Sequence, residues 1–134
     1  MRKLKFRAWD KFHKTMDEVD GYYLYIADGE LYEIFEETQG YETYMQKHIV
    51  TDKHEVMQYT GLRDSKGAEI YEGDIIRHRI KNMRTVVFKD GAFRTKRINY
   101  VAGELTDAFF FYENTGRDWE IIGNIYENPE LLEV

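Results

Sequence analysis

TVVFKDGAFRT (Thr85–Thr95) is the stretch that sets the fold class. Two matched runs of β-forming residues, Thr85–Lys89 and Ala92–Thr95, flank Asp90-Gly91, and both turn residues tolerate the left-handed backbone that a two-residue hairpin requires. Closing the hairpin there sets Phe88 opposite Phe93, a cross-strand aromatic pair that favours one register. Toward the N-terminus, Gly73-Asp74 precedes Ile75–Ile80, where Ile76, His78 and Ile80 alternate with Arg77 and Arg79; a period of two predicts an amphipathic strand. Toward the C-terminus, Arg97–Val101 extends the hairpin. Two further strands are predicted at Ala108–Tyr112 and Glu120–Tyr126, separated by a turn at Asn114–Gly116.

The first third of the chain reads the same way. Leu4, Phe6 and Ala8 alternate with Lys3, Lys5 and Arg7 to give a strand with one dry face, and the polar stretch Asp10–Thr15 turns the chain. Tyr22–Ala27, Asp28-Gly29 and Glu30–Phe35 form a second strand-turn-strand pattern. Tyr41–Val50 is ambiguous: Tyr41, Tyr44, Met45 and His48 have helical spacing, so the segment reads as a short amphipathic helix or an irregular loop, and a mobile connection with some helix is expected. Glu55–Thr60 is extended, GLRDSKG (Gly61–Gly67) has the composition of a tight turn, and Glu69–Tyr71 resumes the strand. At the end of the chain Asn128 caps, Pro129 takes the first helical position and Glu130 sits in the first turn of one helical turn.

Short strands joined by tight turns predict a mainly β fold, a small SH3-like, partly open barrel spanning residues 56–127, with the N-terminal strand and hairpin as an elaboration. A length of 134 residues suits a single domain over the whole chain. The chain has no cysteine, which excludes disulfides and thiolate metal sites. Eleven tyrosines, eight phenylalanines and two tryptophans agree with β structure. The opening MRKLKFRAWDK has no apolar run suited to export or membrane insertion, so a cytoplasmic protein with no membrane partner is expected.

Charge is segregated along the chain. From Asp17 to Glu42 there are acids but no Lys or Arg, whereas the stretch from Arg77 to Arg97 is opposed only by Asp90. The strip Arg77, Arg79, Arg84, Arg94, Lys96 and Arg97, interleaved with Phe88 and Phe93, has the composition of a surface for single-stranded nucleic acid or for an acidic partner. The chain as a whole has a net charge of −6, so pairing of that strip with the acidic segment, within the fold or between subunits, competes with nucleic acid.

KFRAWDKFHKTM (Lys5–Met16), VMQYTGLRDSKGAEIYEGDIIR (Val56–Arg77) and IIGNIYENPELL (Ile121–Leu132), taken together and in that order, resemble the YopX family of phage and prophage proteins from Gram-positive bacteria. Asp17–Glu55 and His78–Glu120 carry no motif of that family. The resemblance implies a phage-derived cytoplasmic protein with a β-rich fold containing a small barrel. It implies no activity and carries over no functional residue. Physically, Gly61, Gly67 and Gly73 in the central block are spaced as turn residues, and Tyr59, Ile70, Tyr71, Ile75 and Ile76 read as core.

Catalytic constellations are weak. The single serine, Ser65, lies in a predicted turn outside any G-x-S-x-G context, and no glycine pattern suits a phosphate loop. His13, His48, His54 and His78 form no helical i, i+4 pair or tight cluster, so neither a metal nor another cofactor is expected. Glu36 and Glu37, or Asp17, Glu18 and Asp20, read as a solvated acidic face. The expectation is therefore a non-enzymatic protein-interaction module. Its partner is a second copy or another host or phage protein, with tyrosines near Tyr22, Tyr23, Tyr25 and Tyr32 at the interface. Nucleic-acid binding by the basic strip is the alternative. An enzyme working through Asp and His is a third reading, which a deep pocket joining His54 or His78 to two carboxylates would favour.

Overall fold

The computed structural model describes residues 3–21, 23–78, 82–98 and 118–133, together with the backbone of 105–106. Twelve strands and two 3-10 turns account for most of these residues, a β-rich fold with a curled half-barrel sheet. By its contacts the chain forms two compact units, Lys5–Met57 and Gln58–Val134 with Met1–Leu4.

In the unit Lys5–Met57, β1 (Phe6–Asp10) pairs antiparallel with β2 (Thr15–Glu18), with Ala8 opposite Asp17 and Asp10 opposite Thr15. β3 (Leu24–Ala27), β4 (Glu30–Gln39) and β5 (Glu42–Ile49) form a meander. The Asp28-Gly29 turn between β3 and β4 has positive φ at both residues (52° and 78°), as the sequence predicts. Ala8, Val19, Leu24, Leu31 and Val50 make the core of this unit, with Phe6, Ile26 and Val56 packed against it. Leu4, assigned to the dry face of β1 from its alternation, is instead exposed, while Trp9 is buried.

The expected helix or loop at Tyr41–Val50 is a correction: the segment is β5, paired with β4 residue for residue from Tyr32↔Ile49 to Gln39↔Glu42. Helical spacing of four residues loses to a long cross-strand ladder closed by Gly40, whose φ of 63° suits the first position of a two-residue hairpin turn.

β6 (His54–Arg63) follows a 3-10 turn at Thr51–Lys53 and continues into the unit Gln58–Val134. There it meets β7 (Glu69–Tyr71) across an irregular register, with Tyr59 opposite Tyr71. Gly61, with φ of 91°, sits inside β6 and not in the predicted turn, which is confined to the residues after Arg63; its positive φ accommodates the irregularity. Asp64 organises that turn. Its Oδ1 accepts the Lys66 and Ala68 amides, each at 2.9 Å, and its Oδ2 accepts the Ile121 amide at 3.0 Å.

β8 (Asp74–His78), β9 (Asn82–Lys89), β10 (Ala92–Arg97), β11 (Leu105–Thr106) and β12 (Glu120–Asn124) form a sheet ordered β11-β10-β9-β8-β12. The hairpin at Asp90-Gly91 has the predicted register, Phe88 facing Phe93 with centroids 5.0 Å apart. Ile70, Ile76, Val86 and Trp119 form the core, and Ile75 and Tyr59 are buried as expected. Asn128 precedes the 3-10 turn Pro129–Leu132, but its side chain does not cap it. Instead Oδ1 accepts the Asn124 amide at 3.1 Å and lies 2.5 Å from where a Cβ on Gly123 would stand, so this close approach requires glycine. The strand and turn predicted at Ala108–Tyr112 and Asn114–Gly116 lie outside the described residues, as do Arg79 and Ile80.

Candidate functional site

The unit Lys5–Met57 contains a cavity of about 680 Å³ lined by Phe12, Tyr23, Leu24 and Val50 among apolar groups and by Asp10, Asp17 and His54 among polar ones. Three separate pieces of backbone supply the polar groups. Asp10 ends β1, where the following turn folds back on its carboxylate: Oδ1 accepts the amides of Phe12 and His13 at 2.9 Å, and Oδ2 accepts from the His13 ring at 2.8 Å. The His13 amide above all, opposed by burial and helped by the His13 ring and the Phe12 amide, holds the Asp10 carboxyl down at about 2.

Asp17 stands on β2 two residues beyond Thr15, the residue opposite Asp10, so the pleat sends both carboxylates to the same face. His54 follows the 3-10 turn, and its Nδ1 lies 2.9 Å from the Val50 carbonyl. A carbonyl only accepts, so Nδ1 carries a proton and Nε2 is turned toward the carboxylates, 3.8 Å from Asp10 Oδ2. The His54 side chain is 8% exposed. One ligand atom from each of Asp10, Asp17 and His54 lies within 4.8 Å of the others.

Asp10, Asp17 and His54 lie far apart in sequence, so no spacing along the chain marks the cluster and only the fold brings the three together. His54 and two carboxylates therefore line one cavity. Of the other histidines, His48 packs on Phe35 (4.6 Å) and His78 on Trp119 (5.3 Å).

A second feature of the same unit is the outer face of β3-β4-β5. Register places Leu24, Ile26 and Leu31 on one face, toward the core, and Tyr25, Tyr32, Ile34, Met45 and Ile49 on the other. Tyr25 and Tyr32 stack at 5.2 Å, and Lys47 lies over the Tyr32 ring. Met45 and Ile49 are more than half exposed, and every residue of β5 is exposed. Beyond Phe35 the distal half of β4 is exposed too, so that part of the hairpin is wet on both faces. Tyr23 is exposed, and Tyr22 lies outside the described residues.

The basic strip does not form one surface. Arg84 and Arg97 stand opposite each other on the face that carries Ile76 and Val86, whereas Arg77, Arg94 and Lys96 stand on the other face. Arg84 donates to Thr95 Oγ1 at 3.0 Å and lies over the Trp119 ring, and Arg94 donates to the Lys89 carbonyl at 2.9 Å. Arg77 pairs at 3.5 Å with Glu120, which also binds Lys66 at 2.7 Å. Lys66 first, then Arg77, draws the Glu120 carboxyl below its ordinary value.

A family model described as YopX protein matches residues 5–133. The chain belongs to the YopX family. Among solved structures, the crystal structure of protein EF1440 from Enterococcus faecalis is similar at 26% identity with a TM-score of 0.62, covering 98% of this chain and 99% of that one. The crystal structure of protein yopX from Bacillus subtilis shares the fold at 22% identity and a TM-score of 0.57, with 98% and 99% coverage. No functionally curated protein matches. Among the described residues of this YopX-family chain, no helix is long and apolar enough to cross a membrane.

Proposed function

We propose that this YopX-family chain is a non-enzymatic accessory protein of phage or prophage origin, cytoplasmic in its bacterial host, that acts as a protein-interaction module. Its partner is a second copy of the chain, joined through β5. The observation that carries this reading is the exposure of every residue of β5. A two-stranded ribbon without a packed face is marginal in water, and a long unpaired edge is a template for another strand.

Antiparallel pairing of β5 with its own copy about a two-fold axis normal to the sheet keeps its two faces matched; with Met45 on the axis, Met45 meets its own copy, Tyr44 stands opposite Gln46 and Thr43 opposite Lys47. The apolar stripe Tyr32, Ile34, Met45 and Ile49 then continues across the joint. The division of the basic residues between two faces gives less support to a nucleic-acid surface, which needs one electropositive track.

Sedimentation across a wide concentration range tests the reading. Wild type should reach a dimer at low salt, and Met45→Lys, which repeats a like charge across the joint, should remain monomeric. Wild type that is monomeric at the highest concentration overturns it.

A further inference from the structure

We propose that Asp10, Asp17 and His54 form a binding site for a first-row divalent transition metal ion, Zn²⁺ or Mn²⁺, open to the cavity of the unit Lys5–Met57. The site shares no residue with β5 and stands or falls separately from the self-association reading.

The groups that meet here lack a donor between them. The Asp17 carboxylate has no hydrogen-bond or ion-pair partner among the described residues. His54 is committed through Nδ1 to the Val50 carbonyl, leaving Nε2 aimed at the carboxylates from a side chain that is only 8% exposed. At 3.8 Å from Asp10 Oδ2, Nε2 is too far for a hydrogen bond. Two carboxylates and an imidazole acceptor converging within 4.8 Å make an arrangement that a cation satisfies.

The surroundings are those of metal ligands. A metal-binding imidazole is held by its other nitrogen on a carbonyl, as Val50 holds His54 here, and a ligating carboxylate is held by neighbouring donors, as the turn amides and the His13 ring hold Asp10. Three protein donors with the remaining positions facing a cavity is the pattern of an open site. One nitrogen among so few donors selects a first-row ion. Mg²⁺ and Ca²⁺ prefer larger sets of oxygens.

The test uses the untagged full chain stripped of metal by chelation. Calorimetric titration with Zn²⁺ and with Mn²⁺ should show one ion per chain for at least one of them, with Mg²⁺ and Ca²⁺ silent at the same concentrations. Asp17→Asn keeps the side-chain shape and breaks no hydrogen bond of the fold, so it should melt like the metal-free wild type while losing affinity by about 100-fold or more. Co²⁺ adds an independent readout: its visible d–d absorption should change on binding to wild type and not to Asp17→Asn. Silence of the wild type toward Zn²⁺ and Mn²⁺, or equal titration of wild type and Asp17→Asn, overturns the proposal.

Discussion

The hairpins β4–β5 and β9–β10 are built alike, two antiparallel strands about a two-residue turn, and they differ in what lies on their faces. β9–β10 buries Val86 and Thr95 to about 1% exposure, while β5 buries nothing. The ladder of backbone hydrogen bonds is therefore common to both, and burial is what separates them. A strand with one dry face needs no partner, whereas a strand with none gains most from being covered.

Matched substitutions sharpen this contrast. Ile76, beside β9 and fully buried, and Ile49, in β5 and 57% exposed, carry the same side chain. Ile76→Ala is expected to lower unfolding stability by about 3 kcal/mol through lost transfer energy and a residual cavity. Ile49→Ala, measured at concentrations where the chain is monomeric, is expected to cost less than about 0.5 kcal/mol. Chemical denaturation of the two variants checks both values; equal losses would break the contrast.

That same contrast explains what could be read from the sequence. Asp28-Gly29 and Asp90-Gly91 announced their hairpins because the left-handed backbone favours those residues, and both turns have positive φ throughout. Ile70, Ile75 and Ile76 announced the core because burial imposes a pattern on side chains. β5 carries no such pattern, since neither face is selected for dryness, and an accidental four-residue spacing stood out instead. The Asp10–Asp17–His54 cluster was hidden for a different reason. Its ligands come from the end of β1, from β2 and from the start of β6, and only the ladder and the turn at Thr51–Lys53 bring them together.

The packed region also has polar ties that the exposed hairpin does not. Asp64 closes its own turn through the Lys66 and Ala68 amides and ties that turn to β12 through the Ile121 amide, whereas at the tip of the hairpin Thr38 meets Thr43 at 3.3 Å in full solvent. Burial opposes ionisation of Asp64, but the amides of Ile121, Ala68 and Lys66 outweigh it and hold the carboxyl below 3.8. A depressed folded-state pKa gives stability that is complete above the unfolded value and is lost as pH falls through the folded one. Asp64→Asn, which turns an amide hydrogen toward the Ile121 amide, should cost about 2 kcal/mol at neutral pH. That gap between wild type and variant should hold constant above about pH 5 and narrow below about pH 4. A gap unchanged down to strongly acidic pH would remove Asp64 as the source.

The most direct measurement is amide hydrogen exchange of β5 at low and at high protein concentration, with β9 and β10 as internal reference. The outward amides of β5, those not bonded to β4, should exchange freely when dilute and become protected when concentrated, while Val86 and Thr95 stay protected at both. Exchange in β5 that does not change with concentration would contradict a β5 edge covered by a second copy.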